Sequence, residues 1–111
     1  MIDLPAKPDE ARWAAMPLME QMANIGSEVG RTCKWIAKGK PQMAAGAYVR
    51  GLDLIDLTIK YGRLGMPGRD ALLKELCRGR DIFTDAFTTE NIEDLNWLDR
   101  YFTHFAFALG R

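Results

Sequence analysis

Apolar positions recur every three or four residues in four long runs; glycine closes the first, second and fourth, and Thr88 and Thr89 separate the third from the fourth. That spacing marks one face of an α-helix. In the first run Leu18, Met22, Ile25, Val29, Cys33 and Ile36 predict a helix over 17–38, with Pro17 suited to a first helical position and Gly39 as the stop. Pro41 opens a second helix that carries Leu52, Ile55 and Ile59 to Gly62, where glycine is expected as a left-handed cap. A third begins near Pro67 or Asp70 and carries Leu72, Leu76, Phe83 and Phe87. The fourth follows Thr88 and Thr89, places Glu90, Glu93 and Asp94 at the positive end of its dipole, and runs through Leu95, Leu98, Phe102, Phe105 and Leu109 to Gly110. Residues 1–16, interrupted by Pro5 and Pro8, read as an arm with a turn or two of helix around Arg12 and Trp13. Short connections favour antiparallel neighbours, so the expected fold is all-α: an antiparallel up-down four-helix bundle over 17–111 behind a short N-terminal arm.

Three of these helices are patterned on more than one face. The first has a stripe of small residues, Ala23, Gly26, Gly30 and Ala37, beside its main apolar stripe. Mid-helix glycine costs about 0.8 to 1 kcal/mol against alanine, so two of them predict a close backbone approach. The second is apolar along Leu52, Ile55 and Ile59, yet Met43, Leu54, Leu57 and Tyr61 line nearly the opposite side. An extra apolar stripe predicts either an interface, in a homodimer or with another protein, or cover by the N-terminal arm. Trp97, Tyr101 and Phe107 give the last helix a similar aromatic side, and Trp97 and Phe107 join the candidate interface.

Charges inside the helical runs also form a pattern. Arg50-Gly51-Leu52-Asp53-Leu54-Ile55-Asp56 and Arg78-Gly79-Arg80-Asp81 repeat an arginine and aspartate wording, and Arg80 falls in the middle of its helix's apolar face. An isolated buried ion is strongly unfavourable, so Arg80 is expected to be buried and paired, with Asp53, Asp56 and Glu28 as leading partners. Glu28, Arg31, Arg50, Asp53, Asp56, Arg80 and Asp81 together are expected to form a buried polar network of structural character.

Composition narrows the class. The 111 residues suffice for one core, and 48% hydrophobic with 27% charged residues is globular. Fifteen Lys+Arg against fifteen Asp+Glu remove net charge as a reason to expect nucleic acid as the main ligand. Cys33 and Cys77 form no CxxC pair, which argues against zinc, and both fit core positions. No run of 18 apolar residues suggests a membrane span, and Asp3, Lys7, Asp9 and Glu10 break up the start of the chain, unlike a signal peptide. The expected setting is cytoplasmic, with reduced thiols and neither cofactor nor metal.

Candidate chemistry is sparse. Arg100 and His104 stand one turn apart, a permanent cation beside a group that titrates near neutral pH, as metal-independent RNA cleavage needs. The plainer expectation pairs Arg100 with an acid across the bundle and packs His104 on Trp97. The single histidine has no glutamate three residues before it, unlike a di-iron bundle. No phosphate loop or nucleophile elbow is present. Arg31, Lys34, Lys38 and Lys40 form a basic cluster that the dipole at a helix C-terminus would favour, and it reads as a solvated face.

The segments Asn24-Ile25-Gly26-Ser27-Glu28-Val29-Gly30-Arg31, Arg50-Gly51-Leu52-Asp53-Leu54-Ile55-Asp56-Leu57-Thr58-Ile59 and Arg80-Asp81-Ile82-Phe83 resemble successive helices of a family of small, uncharacterised bacterial four-helix proteins. The resemblance covers roughly residues 22 to 109. In its four-helix plan that family is similar to the HEPN domains, helical modules that pair with small nucleotidyltransferases in toxin and antitoxin or substrate-binding couples. The resemblance implies a noncatalytic module that dimerises and binds a nucleotidyltransferase-type protein, or else a HEPN-type metal-independent ribonuclease. Ribonuclease HEPN domains separate their Arg and His by four to six residues, whereas Arg100-Tyr101-Phe102-Thr103-His104 has three between them, which favours the first reading.

Overall fold

A computed structural model describes residues 7–108, with side chains through Phe105, and all its regular structure is helical. Five helices follow in order: α1 Glu10–Ala15, α2 Leu18–Ala37, α3 Pro41–Tyr61, α4 Arg69–Thr88 and α5 Ile92–Ala108. Pro17 turns out to be the N-cap of α2, and Pro41 takes the first turn of α3, where its missing N–H loses nothing. Gly62 departs from expectation: its φ of −62° is not left-handed. It is glycine for space, because a Cβ there would meet the Thr58 carbonyl oxygen at 2.6 Å. The open carbonyls at the end of α3 are capped from outside, since the Arg69 guanidinium donates to the carbonyls of Gly62 and Ile59 at 2.6 and 2.9 Å. Glu90 also departs, sitting before α5 in the left-handed region at φ 55°, while the Asn91 side chain accepts the Asp94 N–H at 3.1 Å to start that helix.

α2 packs against both α3 and α5, and α4 packs against the same two helices. The core between them joins Met22, Ile25 and Val29 of α2, Ile55 of α3, Leu72, Leu76, Phe83 and Ala86 of α4, and Leu95, Leu98 and Phe102 of α5. The small stripe of α2 does what its glycines suggested. A Cβ on Gly26 would meet Phe102 Cβ at 2.8 Å, and one on Gly30 would meet the Asp99 carboxylate at 3.1 Å, so α5 lies close against this edge. Ala23 is buried in the same seam, while Ala37 is exposed. Gly51 serves the α3 side, its Cα facing the ring of Phe83. Of the two cysteines expected in the core, Cys33 is half-buried and Cys77 is exposed.

Candidate interaction surface

The extra apolar stripe of α3 is largely occupied within the chain. α1 packs on α3, with Trp13 only 5% exposed and its indole N–H donating to Thr58 Oγ1 at 3.1 Å. Gln21 Nε2 donates to the Trp13 carbonyl at 2.8 Å, which ties α1 to α2 as well. Leu54 lines a cavity of about 430 Å³ with Trp13, and Leu57 lines another with Pro8 and Glu10. Both leucines and Tyr61 are half-buried, and the Tyr61 hydroxyl donates to Glu10 at 3.1 Å. α1 thus lies beside Leu54, Leu57 and Tyr61, which keep part of their surface exposed. Met43 stays 48% exposed.

The expected single polar network is two separate clusters. Glu28, 8% exposed, accepts from Arg31 at 2.5 Å and from Arg50 at 2.9 Å across the α2–α3 seam. Arg80 pairs with Asp56 through Nε at 2.7 Å and a second nitrogen at 3.2 Å. That bond raises the Arg80 pKa above its ordinary value. Arg80 is paired as expected but not buried, since its side chain is 37% exposed and that of Asp56 52%. The helix phase put its Cα toward the core, and its long stem carries the guanidinium out to water. Asp53 is half-buried, Asp81 is exposed, and neither forms an ion pair among the described residues.

The aromatic side of α5 remains open. Trp97 is 48% exposed and stacks on Tyr101 with centroids 5.7 Å apart and planes 15° from parallel. Tyr101 is fixed in turn by edge contacts to Phe102 and Phe105, and its hydroxyl donates to the Glu75 carboxylate of α4. Between the helices runs an open groove of about 470 Å³, with Ile82, Leu98 and the two aromatic rings as its apolar lining and Lys74, Glu75 and Arg78 among its polar residues. Gly79 also lines the groove, and a Cβ there would meet nothing within 4 Å. The side chain of Phe107, expected on this side, lies outside the described residues.

Arg100 and His104 are both exposed and share a shallow open depression with Asp99 and Thr103. Among the described residues Arg100 has no ion-pair partner, and the His104 ring touches Phe105 at a centroid distance of 6.1 Å. The expected packing of His104 on Trp97 is replaced by the stack of Trp97 on Tyr101. Cys33 donates to the Leu95 carbonyl at 3.4 Å, and burial pushes its thiol up to about 11, which leaves it a poor nucleophile. No group of three or more metal-ligating side chains occurs among the described residues, and no described helix is long and apolar enough to cross a membrane.

One aromatic residue escaped the sequence reading. Trp35, half-buried near the end of α2, has the ammonium groups of Lys34, Lys38 and Lys40 at 5.1, 5.6 and 5.8 Å from its ring centroid. The signal was available as an aromatic inside a lysine cluster at helical spacing. No family model, curated protein or solved structure matches this chain.

Proposed function

We propose that the protein is a noncatalytic helical interaction module that pairs with a second copy of itself through the α4–α5 groove. The observation that carries this reading is the half-exposed Trp97, held rigid by Tyr101 over an apolar groove. A preorganised aromatic anchor beside an apolar pocket is the arrangement from which protein interfaces draw most of their energy. The resemblance to HEPN domains alone makes a nucleotidyltransferase-type protein the second partner. The scaffold is read as an antiparallel four-helix bundle, supported by facing pairs that run in opposite order: Gly26 with Phe102 and Cys33 with Leu95, then Gly51 with Phe83 and Asp56 with Arg80. The exposed thiol of Cys77 suits a reducing, cytoplasmic setting.

Light scattering after gel filtration tests the pairing. At about 50 µM, a concentration that populates micromolar complexes, the wild-type chain is expected to elute as a dimer. Trp97→Glu, which sets a charge on the groove wall without touching the core, is expected to elute as a folded monomer. A monomeric wild-type chain at that concentration would overturn the reading.

A further inference from the structure

The turn joining α2 to α3 gathers cations in a stretch of chain that contains no acid. From residue 29 to residue 52 the chain contains five cations, Arg31, Lys34, Lys38, Lys40 and Arg50, and no Asp or Glu. Glu28 takes up Arg31 and Arg50. The three lysines left over make no ion pair among the described residues and converge on the one indole of Trp35. Like charges held around a single ring repel one another, and the ring quadrupole offsets only part of that repulsion. The helix dipole explains Lys34 and Lys38 at the end of α2. It does not explain Lys40, the N-cap of α3, where a cation meets the positive end of that helix. Lys40 is held in place by the turn itself, with Gly39 at φ 69° and the Lys40 N–H donating to the Trp35 carbonyl at 2.9 Å.

We propose that Trp35 with Lys34, Lys38 and Lys40 is a binding site for single-stranded RNA, in which the indole stacks on a base and the lysines hold the flanking phosphates. An aromatic ring set among cations is the recurring unit of sequence-tolerant single-strand binding. The cluster is compact, so its footprint is one or two nucleotides and the strand is held by phosphate charge and one stack. An anionic bilayer is the less favoured occupant, because residues 38–42 are polar or small and the exposed Met43 beside them is a single apolar side chain, not the continuous apolar face that enters hydrocarbon. The site is separate from the α4–α5 groove and stands or falls independently of it.

Fluorescence anisotropy of a labelled oligouridine tests the site at low salt, with phosphatidylserine vesicles as the second probe. The full chain is expected to bind the oligouridine with log affinity falling against log salt at a slope of about −2, the value for three lysine contacts to a single strand. Replacing the three lysines together by glutamine is expected to remove binding while leaving the circular dichroism melt in place. Trp35→Leu is expected to weaken binding about tenfold with the slope unchanged, since stacking carries no counterion release. The proposal is overturned if the wild-type chain does not bind the oligouridine, if the triple glutamine variant binds as well as the parent, or if the vesicles bind and the RNA does not.

Discussion

A methyl group added at Gly26 and one added at Gly79 meet opposite surroundings. At Gly26 the new carbon would lie 2.8 Å from Phe102 Cβ and 3.2 Å from the backbone of α5, which cannot swing aside as a side-chain tip can. Gly26→Ala should therefore destabilise the fold by about 1 to 3 kcal/mol despite its better helix propensity. At Gly79 nothing lies within 4 Å, so Gly79→Ala should stabilise by about 0.5 to 1 kcal/mol. Thermal melts of the two variants check the pair, and a Gly26→Ala protein that melts above the parent would contradict the close α2–α5 approach. Arg80 shows where residue-level reading stops. The 3.6-residue period fixes where a Cα points, but not how far a three-methylene stem carries the guanidinium, so its pairing with an aspartate is legible and its exposure is not. Because both partners are well exposed, Arg80→Ala should cost only about 0 to 1 kcal/mol.

At the scale of elements, the four long helices were legible because proline and glycine mark most of their ends and the run Thr88-Thr89-Glu90-Asn91 marks the break between α4 and α5. The use made of the second stripe on α3 was not, because a pattern shows that a face needs cover without showing what covers it. Here the cover is six-residue α1, too short to announce itself by periodicity and held mainly by one buried indole. Thr58→Val keeps the shape but leaves the Trp13 N–H unpaired, and should cost about 1 to 2 kcal/mol, with faster hydrogen exchange in α1. The outer edge of α1 responds to pH through Glu10, whose pKa is lowered by hydrogen bonds from Lys60 and Tyr61 and by the charge of Lys60. A depressed carboxylate contributes above its unfolded pKa and loses that contribution as pH falls through the folded value. Lys60, raised mainly by its bond to Glu10, contributes below its ordinary range and stops as pH rises through the raised value. After correction for intrinsic exchange rates, α1 protection should be flat across neutral pH and fall below the carboxylate range. Protection that drops between pH 6 and 8 would assign the hold on α1 to some other group.

For the whole molecule, the surfaces with chemical character lie apart, and this bears on whether any RNA it holds is cut. Gly26 faces Phe102, so the level of His104 on α2 precedes Trp35 by at least nine residues, on the order of 14 Å along the helix. A strand held by one base at Trp35 is not thereby delivered to Arg100 and His104, which stand exposed in an open depression with no described group to orient the imidazole. General acid–base catalysis needs the proton-transferring group within hydrogen-bond reach of the reacting atoms and held there. Purified protein is therefore expected to leave single-stranded RNA intact in the presence of a chelator, even where anisotropy shows the RNA bound. His104→Ala should shift the melting temperature little, because the ring has Phe105 as its aromatic neighbour and is otherwise open to solvent. Cleavage in chelator that disappears with either His104→Ala or Arg100→Ala, at unchanged stability, would replace the interaction module with a HEPN-type ribonuclease. Cleavage that survives both variants would point to a contaminating nuclease, and the interaction reading would stand.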